Sequence, residues 1–308
     1  MPLNKKHILT TKNLSKEEID LILQTAETFE PYAQKEKQGD MMKGKILAAL
    51  FYEPSTRTRL SFETAMRRMG GDVVSVPDIN MSSIIKGETL YDTAKVISNF
   101  ADIVAFRHKE AGSAEEFAKG STVPVINAGD GPNQHPSQAL LDLYTMKKEK
   151  GTLDGLTISM SGDLKYGRTV HSLAYLLAHY DVKLKFVAPK ELAMTDEVKN
   201  FLSEKGVEFE ETESIEEGIE SSDILYHTRI QEERFEDKSE YEKLKGIYVL
   251  TRELVESKNP DLIILHPLPR VDEIAPDVDD LKGAAYFRQV QNGVAVRMAL
   301  ISMLVENS

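Results

Sequence analysis

Residues 45–59 read KILAALFYEPSTRTR, an apolar run followed by a proline and then by alternating hydroxyl and arginine side chains. The run from Lys45 to Phe51 has the length and composition of a buried β-strand, and Thr58 to Met69 has the pattern of a helix. Hydroxyl groups, guanidinium groups and the first N–H groups of a helix are donors that bind phosphate. A plain helix cap with surface arginines would explain the Ser-Thr pair alone, but the full string between strand and helix favours a phosphate site.

The same alternation of strand and helix continues along the chain. An N-terminal helix follows Ser15, whose spacing to Glu18 predicts a capping box. Further strands are predicted at 72–76, 103–106, 123–127, 156–160, 183–187, 224–226 and 262–265. Further helices are predicted at 89–99, 136–148, 168–179, 196–203 and 292–305. This order predicts an α/β fold with two doubly wound parallel sheets, which bind ligands at the carboxyl ends of their strands.

A chain of 308 residues is long enough for two such domains. The polar stretch from Lys147 to Gly151 marks a hinge between them. We expect a first domain over residues 1–134, a linking helix over 135–150 and a second domain over 151–290, with helix 291–308 packing back on the first domain. The charged stretch from Gln231 to Lys245 predicts a mobile surface loop and helix.

Charge and composition limit the partners. The chain has 38 Lys and Arg against 50 Asp and Glu, a formal net charge of −12. Because such a surface repels nucleic acid and anionic lipid, neither is expected as a partner, and any anion must be bound by a local basic cluster.

The lack of cysteine excludes disulfides, thiolate nucleophiles and zinc–cysteine sites. No apolar run approaches the roughly 20 residues of a membrane span, and no signal peptide is recognisable, so a cytoplasmic location is expected.

Single residues outside the first loop carry less weight. A histidine before a proline, such as His135, is usually a loop residue, and Gln138 and Arg107 could be ordinary solvated side chains. Arg168 is more informative, because a cation at a predicted helix start opposes the helix dipole unless it meets an anion. The two glycines at 162 and 167 are too few for a dinucleotide fingerprint, which makes a nicotinamide cofactor improbable.

Four spaced motifs together resemble the carbamoyltransferases. PSTRTR at 54–59 matches the signature of that family, KGETL at 86–90 its loop motif and HPSQALLD at 135–142 its second signature. HPLPR at 266–270 has the form found in the aspartate branch of the family, whereas the ornithine branch resembles HCLP there. The SMG loop of the ornithine branch is absent as well. The resemblance to the aspartate branch covers essentially the whole chain.

The resemblance implies a reaction and a set of site residues. Carbamoyl phosphate and L-aspartate would give N-carbamoyl-L-aspartate and phosphate, a step of pyrimidine biosynthesis, with no cofactor and no metal. The first domain would bind carbamoyl phosphate and the second aspartate. The implied catalytic residues are Arg57, Thr58, Arg107 and His135. The implied carbamoyl phosphate ligands are Ser55, Thr56, Arg57, Thr58, Arg107, His135, Gln138, Pro267 and Leu268. The implied aspartate ligands are Lys86, Arg168, Arg229 and Gln231.

The resemblance also implies an assembly. In this family Ser82 and Lys86 reach into the active site of the neighbouring subunit, so a homotrimer with shared active sites is expected. Binding of separate regulatory chains stays open.

Two alternative functions remain at this point. One is carbamoyl transfer to ornithine or a related amine. The pairing of Arg229 with Gln231 opposes it, because an ammonium group needs an acidic or neutral pocket. The other is a non-catalytic anion-binding subunit of the same fold, which the presence of Arg57, Arg107 and His135 opposes.

Overall fold

The computed structural model describes residues 3–78, 86–231, 241–242 and 244–306. Ser82 and most of the charged stretch after Gln231 lie outside the described residues, so the predictions made for them are not tested. The chain forms two compact units, one of Met1–Tyr144 with Val290–Ser308 and one of Thr145–Gln289.

The sheet of the first unit is parallel throughout and is built mostly from buried residues. Its strands are β1 (Ile46–Phe51), β2 (Asp72–Val76), β3 (Ile103–His108) and β4 (Val125–Asp130). They lie in the order β2-β1-β3-β4. Every residue of β3 and β4 is buried. This is typical of a parallel sheet covered on both faces by helices.

Among the described residues, the helices that accompany this sheet are α1 (Lys16–Ala33), α2 (Thr56–Arg68), α3 (Leu90–Ile97), α4 (Ser113–Gly120) and α5 (Pro136–Lys150). The capping box predicted for α1 is confirmed. The Ser15 hydroxyl accepts from the Glu18 N–H at 3.2 Å, and the Glu18 carboxylate accepts from the Ser15 N–H at 2.9 Å. Since these bonds satisfy donors that a helix start leaves open, they fix where α1 begins.

The second unit holds a five-stranded parallel sheet in the order β7-β6-β5-β8-β9. Its strands are β5 (Leu156–Ser161), β6 (Val182–Val187), β7 (Glu208–Thr212), β8 (Ile224–His227) and β9 (Ile263–Leu265). Its helices are α6 (Arg168–Leu177), α7 (Asp196–Glu204), α8 (Ile215–Glu220) and α9 (Arg252–Lys258). The last helix, α10 (Tyr286–Val305), begins in this unit.

The predicted fold class, two parallel α/β sheets, is confirmed, but one strand and three α-helices of the described residues were missed. Strand β7 reads EFEET and forms a largely exposed edge of its sheet, so it lacks the apolar run that marks a buried strand. Helices α4, α8 and α9 have only six to eight residues each, too few for a clear apolar period. None of the helices in the described part of the chain is both long and apolar enough to cross a membrane.

Candidate active site

Each sheet has one point at which the order of strand addition reverses. In the first unit β1 lies between β2 and β3, and in the second unit β5 lies between β6 and β8. The loops that leave the two neighbouring strands at such a point diverge, and the crevice between them is where doubly wound sheets bind ligands. The predicted site residues therefore belong near the carboxyl ends of β1 and β3, and of β5 and β8.

The loop after β1 leads into α2, and the first turn of this helix has no side-chain cap. Ser55 is the N-cap residue, but its side chain makes no capping hydrogen bond, and the first turn contains no acidic residue. Thr58 is buried, whereas Thr56 and Arg57 are exposed. The first N–H groups of α2, the dipole of the helix and the Arg57 guanidinium thus favour an anion at this position.

Arg107 lies beside this loop at the end of β3. It pairs with Phe51 in the sheet register, and its carbonyl accepts from the Tyr52 N–H at 2.9 Å. The side chain is held by two oxygens: Nη1 donates to the Ala128 carbonyl at 3.2 Å, and Nη2 lies 2.8 Å from Oε2 of Glu53. A phosphate that binds this guanidinium must therefore compete with the Glu53 carboxylate.

His135 and Gln138 stand at the start of α5, after β4. The His135 carbonyl accepts from the Gln138 N–H at 3.0 Å, which begins the helix. Nε2 of Gln138 donates to Oδ1 of Asp142 at 2.7 Å. Because a carboxylate only accepts hydrogen bonds, this contact fixes which way the amide of Gln138 is turned. Its oxygen is thereby left as the atom that can accept from a ligand.

Asp142 is itself balanced by a buried arginine. Burial lowers the pKa of Arg297 to about 10, and the nearby Asp142 carboxylate opposes that shift. Arg297 Nη1 donates to the Ser61 hydroxyl of α2 at 2.8 Å. Helices α2, α5 and α10 are thus connected by polar side chains, one of which, Asp142, also contacts Gln138.

The crevice of the second unit depends on one glycine. Gly162 follows β5 with φ of +106°, and a Cβ there would lie 2.0 Å from the Thr228 carbonyl oxygen. Thr228 N donates to the Ser161 carbonyl at 2.8 Å, and Asp163 N donates to Thr228 Oγ1 at 3.2 Å. The loops after β5 and β8 therefore pack backbone to backbone, and only glycine permits this approach.

Two predicted arginines follow these loops. Arg229 comes directly after Thr228, and Arg168 is the first residue of α6. The N-cap of α6 is Gly167, which supplies no side-chain cap, and its first turn has no acidic residue. The arrangement suits a small molecule with carboxylate groups, because two guanidinium groups and an uncapped helix start lie at the carboxyl ends of neighbouring strands.

The structure thus places the predicted residues at the carboxyl ends of both sheets. Those of the first unit are Ser55, Thr56, Arg57, Thr58, Arg107, His135 and Gln138, which follow or end β1, β3 and β4. Those of the second unit are Arg168, Arg229, Gln231, Pro267 and Leu268, which follow β5, β8 and β9. Lys86 is exposed before α3, and no described contact ties it to the other residues.

Sequence reasoning missed the carboxylates that hold or orient these side chains. Glu53 contacts Arg107, Asp142 orients Gln138, and Glu273 contacts His266. Glu53 and Asp142 lie within the motif stretches 45–59 and 135–142. A carboxylate so close in sequence to a predicted binding residue was the signal that could have identified them. In the described part of the chain, no group of three His, Asp or Glu side chains is arranged to hold a metal ion.

A buried histidine lies under the second crevice. His227, the last residue of β8, is fully buried, and its Nδ1 lies 2.5 Å from the Ser161 hydroxyl. Burial lowers the pKa of His227 to about 4. The ring is therefore neutral in the folded protein at neutral pH.

This histidine should make folding sensitive to mild acid. Below its ordinary pKa of 6.5 the unfolded chain takes up a proton that the folded chain excludes. The contribution to stability is thus complete above pH 6.5 and lost as the pH falls towards 4. Between pH 7.5 and pH 5 the loss from His227 is expected to be about 2 kcal/mol.

Denaturant titrations at the two pH values would measure this effect. His227→Asn keeps an acceptor for Ser161 but does not titrate, so its free energy of unfolding should fall by about 2 kcal/mol less than that of the wild type. Other groups that titrate in this pH range, including His7, contribute equally to the loss of unfolding free energy in both proteins. An identical acid loss in the variant would contradict the assignment.

Two family models match the chain over nearly its whole length. The model described as the carbamoyl-P binding domain of aspartate/ornithine carbamoyltransferase matches residues 6–148. The model described as the Asp/Orn binding domain of the same family matches residues 154–304.

Similar proteins and structures agree with these models. The aspartate carbamoyltransferase catalytic subunit of Methanocaldococcus jannaschii is 52% identical over 304 residues, covering 98% of this chain and 99% of that protein. A solved structure of the M. jannaschii catalytic subunit has a TM-score of 0.92 at 51% identity, covering 99% of each chain. Aspartate transcarbamoylase of Trypanosoma cruzi in complex with carbamoyl phosphate and aspartate has a TM-score of 0.92 at 36% identity, covering 98% of this chain and 97% of that one.

Proposed function

The chain belongs to the aspartate/ornithine carbamoyltransferase family, and from that membership we propose how its residues carry out the reaction. The protein transfers the carbamoyl group of carbamoyl phosphate to the amino group of L-aspartate, giving N-carbamoyl-L-aspartate and phosphate. The observation that carries this conclusion is the identity of about 50% with aspartate carbamoyltransferase catalytic subunits over the full length. It favours aspartate over ornithine as the acceptor and opposes a non-catalytic role.

The phosphate of the donor is bound at the carboxyl ends of β1 and β3. Residues 55–58 supply hydroxyl groups, the N–H groups of the uncapped start of α2 and the Arg57 guanidinium. Arg107 supplies a second guanidinium. Arginine suits this task because its planar fork can bind two phosphate oxygens at once. The pull of these cations on the phosphate also stabilises it as the leaving group.

The chemical step needs donors for a developing oxyanion. The neutral amine of aspartate forms a bond with the carbamoyl carbon, and the carbonyl oxygen becomes negative. The bond to the phosphate oxygen then breaks, and the leaving phosphate takes the proton that the amine releases. Thr58, Arg107 and His135 donate to the oxyanion; loss of one such donor typically slows a reaction by about 10²- to 10³-fold. No covalent bond to the protein forms in this scheme.

The carbamoyl NH₂ distinguishes the donor from an acyl phosphate, which has no hydrogen to donate there. The Gln138 amide oxygen accepts from this group, in the orientation that Asp142 enforces. The backbone carbonyls of Pro267 and Leu268 accept as well. A site with such acceptors disfavours a donor that would leave them unsatisfied.

Aspartate is bound through its two carboxylates. Arg168 and Arg229 follow neighbouring strands of the second sheet and, with Lys86, form the local basic cluster that an acidic chain needs to bind a dianion, to which Gln231 adds the N–H donors of its amide. Residues 1–134, with helix 291–308, then form the carbamoyl phosphate domain and residues 151–290 the aspartate domain. Residues 135–150 link them.

Turnover assays with two acceptors test this function. Purified protein is given carbamoyl phosphate with either aspartate or ornithine, without added metal, and the carbamoylated product is measured. Product from aspartate alone is expected. Product from ornithine alone would keep the phosphate site but overturn the acceptor assignment. No product from either would favour a non-catalytic subunit.

The family resemblance further supports a cytoplasmic homotrimer, active in pyrimidine biosynthesis, in which Ser82 and Lys86 complete the site of a neighbour. Regulatory chains are compatible with this assembly. A closed ring of three chains has three equivalent interfaces, so shared active sites predict how many sites stay intact in a trimer that mixes two variants. Each mixed trimer of Lys86→Ala and Arg57→Ala chains contains one site in which both side chains are intact.

Mixing these two inactive variants should therefore restore about a third of the wild-type activity per mixed trimer. The matched control mixes Arg57→Ala with Arg229→Ala, whose lost side chains belong to the same chain in this scheme, so no intact site can form. Recovery in the control, or none in verified Lys86→Ala and Arg57→Ala hybrids, would contradict sharing through Lys86.

A further inference from the structure

The loop after β9 contains a residue in an unfavourable backbone conformation. Leu268 has φ of +56°, in the left-handed region that non-glycine residues avoid at a cost of about 1–2 kcal/mol. Such a conformation persists only where its surroundings enforce it. The proposed function places the carbonyl of this residue on the carbamoyl NH₂, so whatever enforces the conformation bears on the reaction.

The side chain of His266 holds this backbone directly. The Leu268 N–H donates to Nδ1 of His266 at 2.8 Å. Because Nδ1 accepts this bond, the proton of the neutral imidazole is on Nε2. Burial lowers the pKa of His266, which keeps the ring neutral and this tautomer in place.

Glu273 in turn holds the other side of the ring. Nε2 of His266 lies 2.8 Å from Oε1 of Glu273, a close polar contact without the angles of a hydrogen bond, and neither atom has a hydrogen-bond partner among the described residues. Oε2 of Glu273 accepts from the N–H groups of Val271 at 3.0 Å and Asp272 at 3.2 Å. Only 7% of Glu273 is exposed. The carboxylate therefore faces N–H donors on both of its oxygens.

Glu273 is ionised in this setting. Burial alone would raise its pKa, but the contact with His266 and the backbone N–H groups outweigh burial and lower the pKa to about 2. A glutamine could not replace it. One end of an amide is a donor, and here that end would meet either the Val271 N–H or the Nε2 proton of His266.

We propose that Glu273 is a positioning residue for carbamoyl phosphate. Through His266 it holds the backbone of Pro267 and Leu268 in the conformation that presents their carbonyls to the carbamoyl NH₂. The proposal rests on the function assigned above. It differs from a purely structural role because it predicts a selective loss of the carbamoyl contact, while the phosphate site of the first unit is spared.

The variant Glu273→Gln tests this selectivity. In steady-state assays KM for carbamoyl phosphate should rise and kcat should fall by about tenfold each, the size expected when a hydrogen bond to a charged group is lost. KM for aspartate should change less than about twofold. Inhibition by inorganic phosphate, which has no NH₂, should keep its wild-type constant. Glu253→Gln, the same change on the exposed face of α9, is the control and should behave as the wild type.

A double-mutant cycle with His266→Asn tests whether Glu273 acts through His266. The asparagine oxygen can accept from the Leu268 N–H but no atom of it reaches Glu273, so adding Glu273→Gln should cause no further loss. Additive losses would overturn the proposal, as would a Glu273→Gln protein that binds carbamoyl phosphate like the wild type. If Glu273→Gln does not fold, His266→Asn alone must show the split between weakened carbamoyl phosphate and unchanged phosphate inhibition. Absence of turnover in the wild type would refute the assigned function instead.

Discussion

Replacing Arg57 with alanine is expected to lower kcat by about 10³-fold while leaving the fold intact. Arg57 lies in the first turn of α2, where the helix has no side-chain cap and no acidic residue. Its guanidinium therefore adds a full charge to donors that already favour an anion. Charge accumulates on the leaving phosphate as the reaction proceeds, so the loss falls on the transition state more than on the ground state. Because Arg57 is exposed, its truncation removes little packing.

The comparison variant is Arg67→Ala, an exposed arginine in the last turn of the same helix. Both proteins should unfold at the same denaturant concentration within error. Inhibition by inorganic phosphate should weaken in Arg57→Ala and stay unchanged in Arg67→Ala. A turnover loss in Arg57→Ala smaller than about tenfold would remove this residue from the catalytic group.

The fold was predictable wherever burial left a pattern in the sequence. Strand β1 is a run of buried apolar residues, and the capping box of α1 is readable from Ser15 and Glu18 alone. Strand β7 could not be recognised, because an exposed edge strand of charged residues forms through backbone pairing with β6, which leaves no side-chain signal. Element ends shifted by a few residues for a related reason, since contacts made in the folded chain decide them.

The site residues likewise fall into those that could be predicted from the sequence and those that could not. Motif residues such as Arg57 and His135 could be named from the sequence because the resemblance carries them. The carboxylates that hold the site could not, because their contacts depend on the folded chain: Glu53, in the loop after β1, meets Arg107 of the neighbouring strand β3. Gly162 is a similar case. Its need for glycine comes from the Thr228 carbonyl just after the neighbouring strand, 66 positions further along the chain.

Replacing Arg229 with alanine is expected to raise KM for aspartate by about 10²-fold or more and to leave KM for carbamoyl phosphate within about twofold. Arg229 follows Thr228 at the carboxyl end of β8, partly buried beside the glycine turn after β5. A carboxylate that loses its guanidinium partner in such a site forfeits about 2–5 kcal/mol. The donor phosphate, in contrast, depends on residues 55–58 and Arg107, which this change does not touch.

Arg252→Ala serves as the matched control, because Arg252 is an exposed arginine of the same unit whose Nε lies 2.9 Å from Oε1 of Glu256. Its loss should leave the kinetics of both substrates unchanged. Steady-state assays in which each substrate is varied at saturation of the other separate the two constants. Equal losses for aspartate and carbamoyl phosphate in Arg229→Ala would indicate a general disturbance of the second unit. Unchanged aspartate kinetics would remove Arg229 from the acceptor site and leave Arg168 as the arginine of the second crevice that binds a carboxylate.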